Sequence, residues 1–122
     1  FNLDEHVFFM GRQPREEVRE FLHACNVVVQ PVLEQGGWLS VFEALSAGKP
    51  VIVSPTMGAS EIIGRERIGY VTEDYAKAIL HVYENPQEAR RMAEKGKRYV
   101  KENLTWMKFT ERMIEVYEEV MG

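Results

Sequence analysis

Apolar positions follow two rhythms along the chain. Up to about residue 74, short apolar runs alternate with helically spaced ones; beyond it only helical spacing persists. His6–Met10 is a short apolar run closed by Gly11, which predicts a strand. Pro14 suits a first helical position, and Glu16 and Glu17 fall in the first turn, where the helix dipole favours acids. Val18, Phe21, Leu22 and Cys25 recur at i, i+3, i+4 and i+7, the spacing of a core-facing stripe. After Asn26, Val27–Gln30 reads as a strand of the parallel type, apolar on both faces and stopped by Pro31. Gly36-Gly37 precede a helix predicted over 39–47 and ended by Gly48. Pro50 opens a second buried strand, Val51–Val53, which ends at Ser54-Pro55. Ser60 is the predicted N-cap of a short helix over 60–63, and Gly69–Thr72 is a last, short strand.

From Asp74 onward only helices are predicted. Tyr75, Ala76, Ile79, Leu80 and Tyr83 make one stripe, stopped at Asn85-Pro86. Ala89, Met92, Ala93, Gly96, Tyr99 and Val100 make another. Thr105 caps a final helix whose apolar positions are Trp106, Phe109, Met113, Ile114, Val116, Tyr117 and Val120, a wide face for so small a chain. Strand–helix alternation followed by helices argues for an α/β fold: a Rossmann-like parallel sheet of about four strands, flanking helices and a helical C-terminal tail from about residue 74. No internal repeat or low-complexity segment interrupts this pattern.

Composition narrows the classes. The 122 residues suggest one domain, and 45% apolar with 28% charged residues is ordinary for a globular protein. Fifteen Lys and Arg against 19 Asp and Glu leave a net charge of −4, without the basic footprint of a nucleic-acid binder. No apolar run approaches the roughly 20 residues of a membrane span. The single Cys25 fits a reducing compartment, and a cytoplasmic location is expected. The chain opens on Phe1 without a leader and is expected to be cut from something longer. Abundant Glu and Lys with few Asn and Gln point to a thermophilic source.

Candidate chemistry concentrates in one turn. Open α/β sheets bind ligands at the carboxyl ends of their strands, and there the sequence reads Glu34-Gln35-Gly36-Gly37-Trp38-Leu39, with Glu43 one to two turns into the helix that follows. Two glycines let a backbone approach a ligand closely. The helix N-terminus offers unpaired N–H groups to an anion such as a diphosphate. A carboxylate at Glu43 is placed to accept hydrogen bonds from paired sugar hydroxyls. The plainer alternative is a flexible turn and a solvated surface acid. Elsewhere the readings are structural. His6, His23 and His81 lack metal-ligand spacing, and Cys25 reads as a buried, inert thiol. The basic run at Arg90, Arg91, Lys95, Lys97, Arg98 and Lys101 reads as a solvated helix face with pairs such as Glu94–Arg98. Its alternative is a patch meeting anionic lipid headgroups.

These residues carry a resemblance. Val7–Gly11, Asn26–Pro31, the run Glu43-Ala44-Leu45-Ser46-Ala47-Gly48-Lys49-Pro50-Val51-Ile52, then Glu61-Ile62-Ile63 and Gly69-Tyr70-Val71 resemble, in order and spacing, the carboxyl-terminal domain of GT-B-fold retaining glycosyltransferases of family 4. The resemblance covers nearly the whole chain, and the run from Glu43 is its most specific part. It implies transfer of a hexose from a nucleotide sugar to a sugar or lipid-linked acceptor, with no metal or other cofactor. It also implies that Glu43 holds the ribose hydroxyls, that an acid before it touches the donor sugar, and that the backbone between faces sugar and diphosphate.

Two departures from the family pattern follow. At the position of the first acid the sequence has Gln35, with Glu34 one residue back, so either residue is the candidate for the sugar contact. The family's Gly-aromatic-Gly order appears as Gly36-Gly37-Trp38. The resemblance further implies that the Arg and Lys neutralising the diphosphate, and the amino-terminal acceptor domain, lie outside this chain. The chain alone is thus expected to transfer nothing and to bind nucleotide weakly. A part of such an enzyme could instead be a non-catalytic, self-associating module, pairing as a homodimer through an open sheet edge and the wide final helix. An epimerase-like domain of the same fold is a third reading, against which the text from Glu43 to Ile52 argues.

Overall fold

A computed structural model describes residues 3–33 and 38–121. In chain order it contains α1 (Arg15–Ala24), β1 (Val28–Gln30), α2 (Trp38–Ser46), β2 (Val51–Val53), α3 (Ser60–Glu66), β3 (Tyr70–Val71), α4 (Tyr75–Glu84), α5 (Pro86–Asn103) and α6 (Trp106–Met121). The strands form one parallel sheet in the order β1-β2-β3, with Val28 opposite Val51 and Ile52 opposite Tyr70. Each strand is followed by a helix, so all three carboxyl ends lie along one edge. The α/β reading therefore holds, with three strands among the described residues rather than about four.

The missing strand is the run at Val7–Met10, which takes no regular secondary structure and joins no ladder among the described residues. The chain there makes local bonds instead: the His6 and Val7 amides donate to the Leu3 carbonyl, and the Gln13 side chain donates to the Met10 carbonyl. Its side chains stand in solvent, Phe9 almost completely. Apolar, strand-compatible residues become a strand only where a partner edge offers ladder bonds. Among the described residues β1 pairs with β2 alone and leaves its outer edge open, and it is half-buried instead of buried on both faces.

β2 is the centre of the molecule. Val51, Ile52 and Val53 are wholly buried, as their apolar sequence demands of a strand covered on both faces. Val51 and Val53 join Val41, Ala44, Leu45, Met57, Ala59, Ile63 and Ile68 on one face. Ile52 joins Ala78, Val82 and Ala89 on the other. α5 seats as its spacing predicts, through Ala89, Ala93 and Gly96. Asp74 caps α4 by accepting the Lys77 amide, and Thr105 accepts the Lys108 amide at the start of α6.

Several helix faces differ from their predicted stripes. α4 turns Ala78 and Val82 inward and leaves Ile79, Leu80 and Tyr83 exposed. The helix is apolar on two sides, and the smaller residues fit against the sheet. α1 has no buried residue: Val18 and Phe21 are exposed, and only Leu22 packs against the core. Cys25 is half-buried, its thiol donating to the Leu22 carbonyl. Pro14 stands at the N-cap of α1, one residue ahead of its predicted place. At α3 the N-cap is Ala59, and the Ser60 hydroxyl donates to the Pro55 carbonyl instead of capping. The Glu94–Arg98 pair does not form among the described residues; the ion pairs there are Arg65–Glu66 and Lys108–Glu111, and His81 shares a hydrogen bond with Glu88. No helix of the described residues is long and apolar enough to cross a membrane.

Candidate functional site

The carboxyl edge of the sheet gathers the turns after β1, β2 and β3. α2 departs from this edge, so its N-terminal turn and the positive end of its dipole face the same space. The sequence makes α2 a fixed platform. Val41, Ala44 and Leu45 recur at helical spacing and are wholly buried in the larger core cluster. α5 lies directly behind them: a Cβ on Gly96 would stand 2.6 Å from the Leu45 side chain. The far end of α2 is closed by Gly48, whose φ of 74° favours glycine. There the Gly48 amide donates to Leu45 and the Lys49 amide to Ala44.

Glu43 rides on this platform. It is half-buried, flanked in sequence by buried Val41 and Ala44, and its carboxylate has no hydrogen-bond or ion-pair partner among the described residues. A carboxylate with free acceptor positions on a helix seated in the core is suited to a ligand's hydroxyl donors. Leu39, in the first turn, is largely exposed on the open side. Trp38 begins α2; its side chain lies outside the described residues, as do the sequence-predicted contacts Glu34, Gln35, Gly36 and Gly37. Of the candidate set, Leu39 and Glu43 are thus the members whose side chains the structure describes, Leu39 in the first turn of α2 and Glu43 in the second.

Two residues that the sequence reading passed over stand beside them. At the end of β2, the Ser54 hydroxyl and the Thr56 hydroxyl both donate to the Val32 carbonyl, each at 2.5 Å. The signal in the sequence was a pair of hydroxyls flanking Pro55 at a strand end. Lys49 is accounted for differently: its ammonium donates to the His23 carbonyl at 2.9 Å, tying β2's amino end to the end of α1, away from the site. On the opposite face of the sheet, Tyr70 packs edge-on against His81, and His81 meets Glu88 at 2.8 Å. The Tyr70 hydroxyl is buried without a hydrogen-bond partner. Burial, and then the negative charge of Glu88, push its ionisation above the ordinary tyrosine value. No group of three or more His, Cys, Asp or Glu among the described residues could hold a metal ion.

Comparison with known proteins places this geometry. Residues 1–99 match the family described as glycosyl transferases group 1. An uncharacterised glycosyltransferase of Methanocaldococcus jannaschii is 28% identical over 120 residues, covering 94% of this chain and 34% of its own length. The trehalose synthase of Pyrococcus horikoshii is 29% identical over 109 residues, covering 87% of this chain and 26% of its own. Among solved structures, the sucrose-phosphate synthase of Thermosynechococcus elongatus superposes with a TM-score of 0.82 at 27% identity, over 98% of this chain and 31% of that one. The chain spans about a quarter to a third of the length of the proteins it matches. The parallel sheet, its flanking helices and the sequence match agree: the chain is a carboxyl-terminal GT-B glycosyltransferase domain and belongs to the glycosyl transferases group 1 family.

Proposed function

We propose that this chain forms the nucleoside half of a nucleotide-sugar donor site in a retaining hexosyltransferase. The observation that carries the reading is Glu43: a half-buried residue whose carboxylate has no partner among the described residues, on a helix whose N-terminus faces the carboxyl edge of a parallel sheet. Glu43 accepts hydrogen bonds from the paired ribose hydroxyls. The first turn of α2 directs its amides and dipole toward the diphosphate. Glu34 or Gln35 reaches the donor sugar, and Gly36 and Gly37 admit it closely. Charge neutralisation of the leaving diphosphate, worth several kcal/mol in the transition state, falls to cations of the longer protein, as does the acceptor site. The sucrose-phosphate and trehalose synthases among the relatives fit a sugar or sugar-phosphate acceptor.

Titration with UDP, GDP and ADP and with their hexose conjugates, followed by amide chemical shifts, tests this reading. Weak binding with shifts in the first turn of α2 and around Glu43 is expected. Glu43→Ala should weaken it by about tenfold or more, the scale of hydrogen bonds to a charged group. Absence of any shift near Glu43 with every nucleotide would sink the proposal.

A second reading rests on the open edge of β1 and the uncovered α6: two copies of the chain could associate through these faces. Sedimentation that shows a single monomeric species at high concentration would exclude it.

A further inference from the structure

The hydroxyls of Ser54 and Thr56 take over where the sheet's own hydrogen bonds stop. In the β1–β2 ladder, Val28 donates to the Pro50 carbonyl and the Ser54 amide donates to the Gln30 carbonyl. Two residues beyond Gln30, the carbonyl in line for the next ladder bond is that of Val32. Its donor in register would be the amide of Thr56, but the chain passes through Pro55, whose ring fixes φ and turns it. Side chains fill the place instead. Ser54 Oγ and Thr56 Oγ1 each donate to the Val32 oxygen at 2.5 Å, and Thr56 Oγ1 lies 3.2 Å from Ser54 Oγ. The donor pair is itself anchored. Ser54 is 3% exposed, and its carbonyl accepts the amide of Met57, a wholly buried member of the core.

We propose that Ser54 and Thr56 are positioning residues: by gripping the Val32 carbonyl they fix where the chain leaves β1, and so the alignment of the α2 N-terminus and Glu43 toward a nucleotide-sugar diphosphate. The inference rests on the donor-site reading given above. Val32 packs against the same core cluster as Val41 and Phe42 of α2, so a displaced carbonyl is transmitted to both ends of the connection. Because two donors share one acceptor, loss of either leaves the grip in place through the other. Loss of both leaves a half-buried carbonyl without a donor.

The test is a double-mutant cycle of Ser54→Ala and Thr56→Val, with Thr56→Ser as the conservative control. Affinity is read for UDP-glucose, GDP-mannose and ADP-glucose, and amide exchange is read at Val32, Leu33, Leu39 and Ser40. Each single variant should change affinity by less than about threefold. The pair together should lower it by about tenfold, a coupling rather than a sum, with faster exchange at the four amides and a retained circular-dichroism spectrum. Thr56→Ser in the Ser54→Ala background should restore both readouts. If the unmodified protein binds and the double variant binds equally well with unchanged exchange, the grip has no positioning role and only this inference falls. If the double variant fails to fold, the milder pair Ser54→Cys with Thr56→Val, which keeps only a weak thiol donor, must still exchange faster at Val32 than either single variant, and equal exchange overturns the inference. If the unmodified protein binds none of the three nucleotide sugars, the donor-site reading fails and the positioning role with it.

Discussion

The two faces of β2 and the two ends of the chain both carry large apolar side chains, with opposite fates. Around β2, apolar side chains are closed off on both sides of the sheet, down to approaches that only glycine permits. At Val7–Met10, along α1 and along α6, residues just as apolar stand in solvent; neither α1 nor α6 has a buried residue. Trp106 and Phe109 even stack edge to face while exposed. The difference teaches that hydrophobicity decides what an element is made of, whereas cover depends on a neighbour of matching shape. β2 has such neighbours within the chain. Among the described residues the periphery has few, Leu22 of α1 being one that packs against the core, which suits a chain spanning about a quarter to a third of the proteins it resembles.

The comparison is put at risk most severely by Gly69→Ala. A Cβ there would stand 2.5 Å from Val51 Cγ2, 2.8 Å from Ile63 Cγ2 and 3.1 Å from the Val51 carbonyl oxygen. The core cannot give way on three sides, so a loss of about 2–3 kcal/mol in denaturant unfolding is expected. A loss below about 0.5 kcal/mol would mean that the centre is looser than the packing states.

Tyr70→Phe probes the same closed region in the other direction. It removes a buried hydroxyl with no partner and should stabilise the protein by about 0.5–1 kcal/mol at neutral pH. The pH dependence follows from the raised ionisation of Tyr70. The folded state keeps the phenol proton at a pH where the unfolded state, ionising near 10.0, has lost it. The stability tied to Tyr70 is therefore present below about pH 10 and lost as pH rises through the folded value. Thermal melts from about pH 8 to about pH 11 should show a shallower decline for Tyr70→Phe than for the unmodified protein. Parallel declines would contradict the burial of this hydroxyl.

The smallest effect belongs to the periphery. Val120→Ser, on the exposed side of α6, should change stability by less than about 0.5 kcal/mol in the isolated chain. A cost near that of a core truncation, about 2 kcal/mol or more, would show that this face is covered in solution.

Much of this architecture was legible residue by residue. The β-branched run Val51–Val53, bounded by Pro50 and Ser54-Pro55, could be little else than a covered parallel strand. Ala89, Ala93 and Gly96 announced the inward face of α5, and Asp74 and Thr105 the starts of α4 and α6. What failed depended on partners that periodicity does not encode. Val7–Met10 has strand chemistry without an edge to join. α4 has apolar residues on two sides, and only the sheet decides which is used. For the site, the Glu43–Ile52 text located the platform and its carboxylate. The Ser54–Thr56 grip was invisible because its acceptor is a main-chain carbonyl more than twenty residues away.

The junction between α5 and α6 has a practical consequence. The inward contacts of α5 end at Tyr99 and Val100, the family match ends at residue 99, and the next helix contributes nothing to the core. A protease that samples local openings should therefore cleave near Leu104-Thr105 and release α6 while the core around β2 stays closed. The molecule would thereby report its own architectural seam, separating the helix that completes this core from the one available for attachment elsewhere.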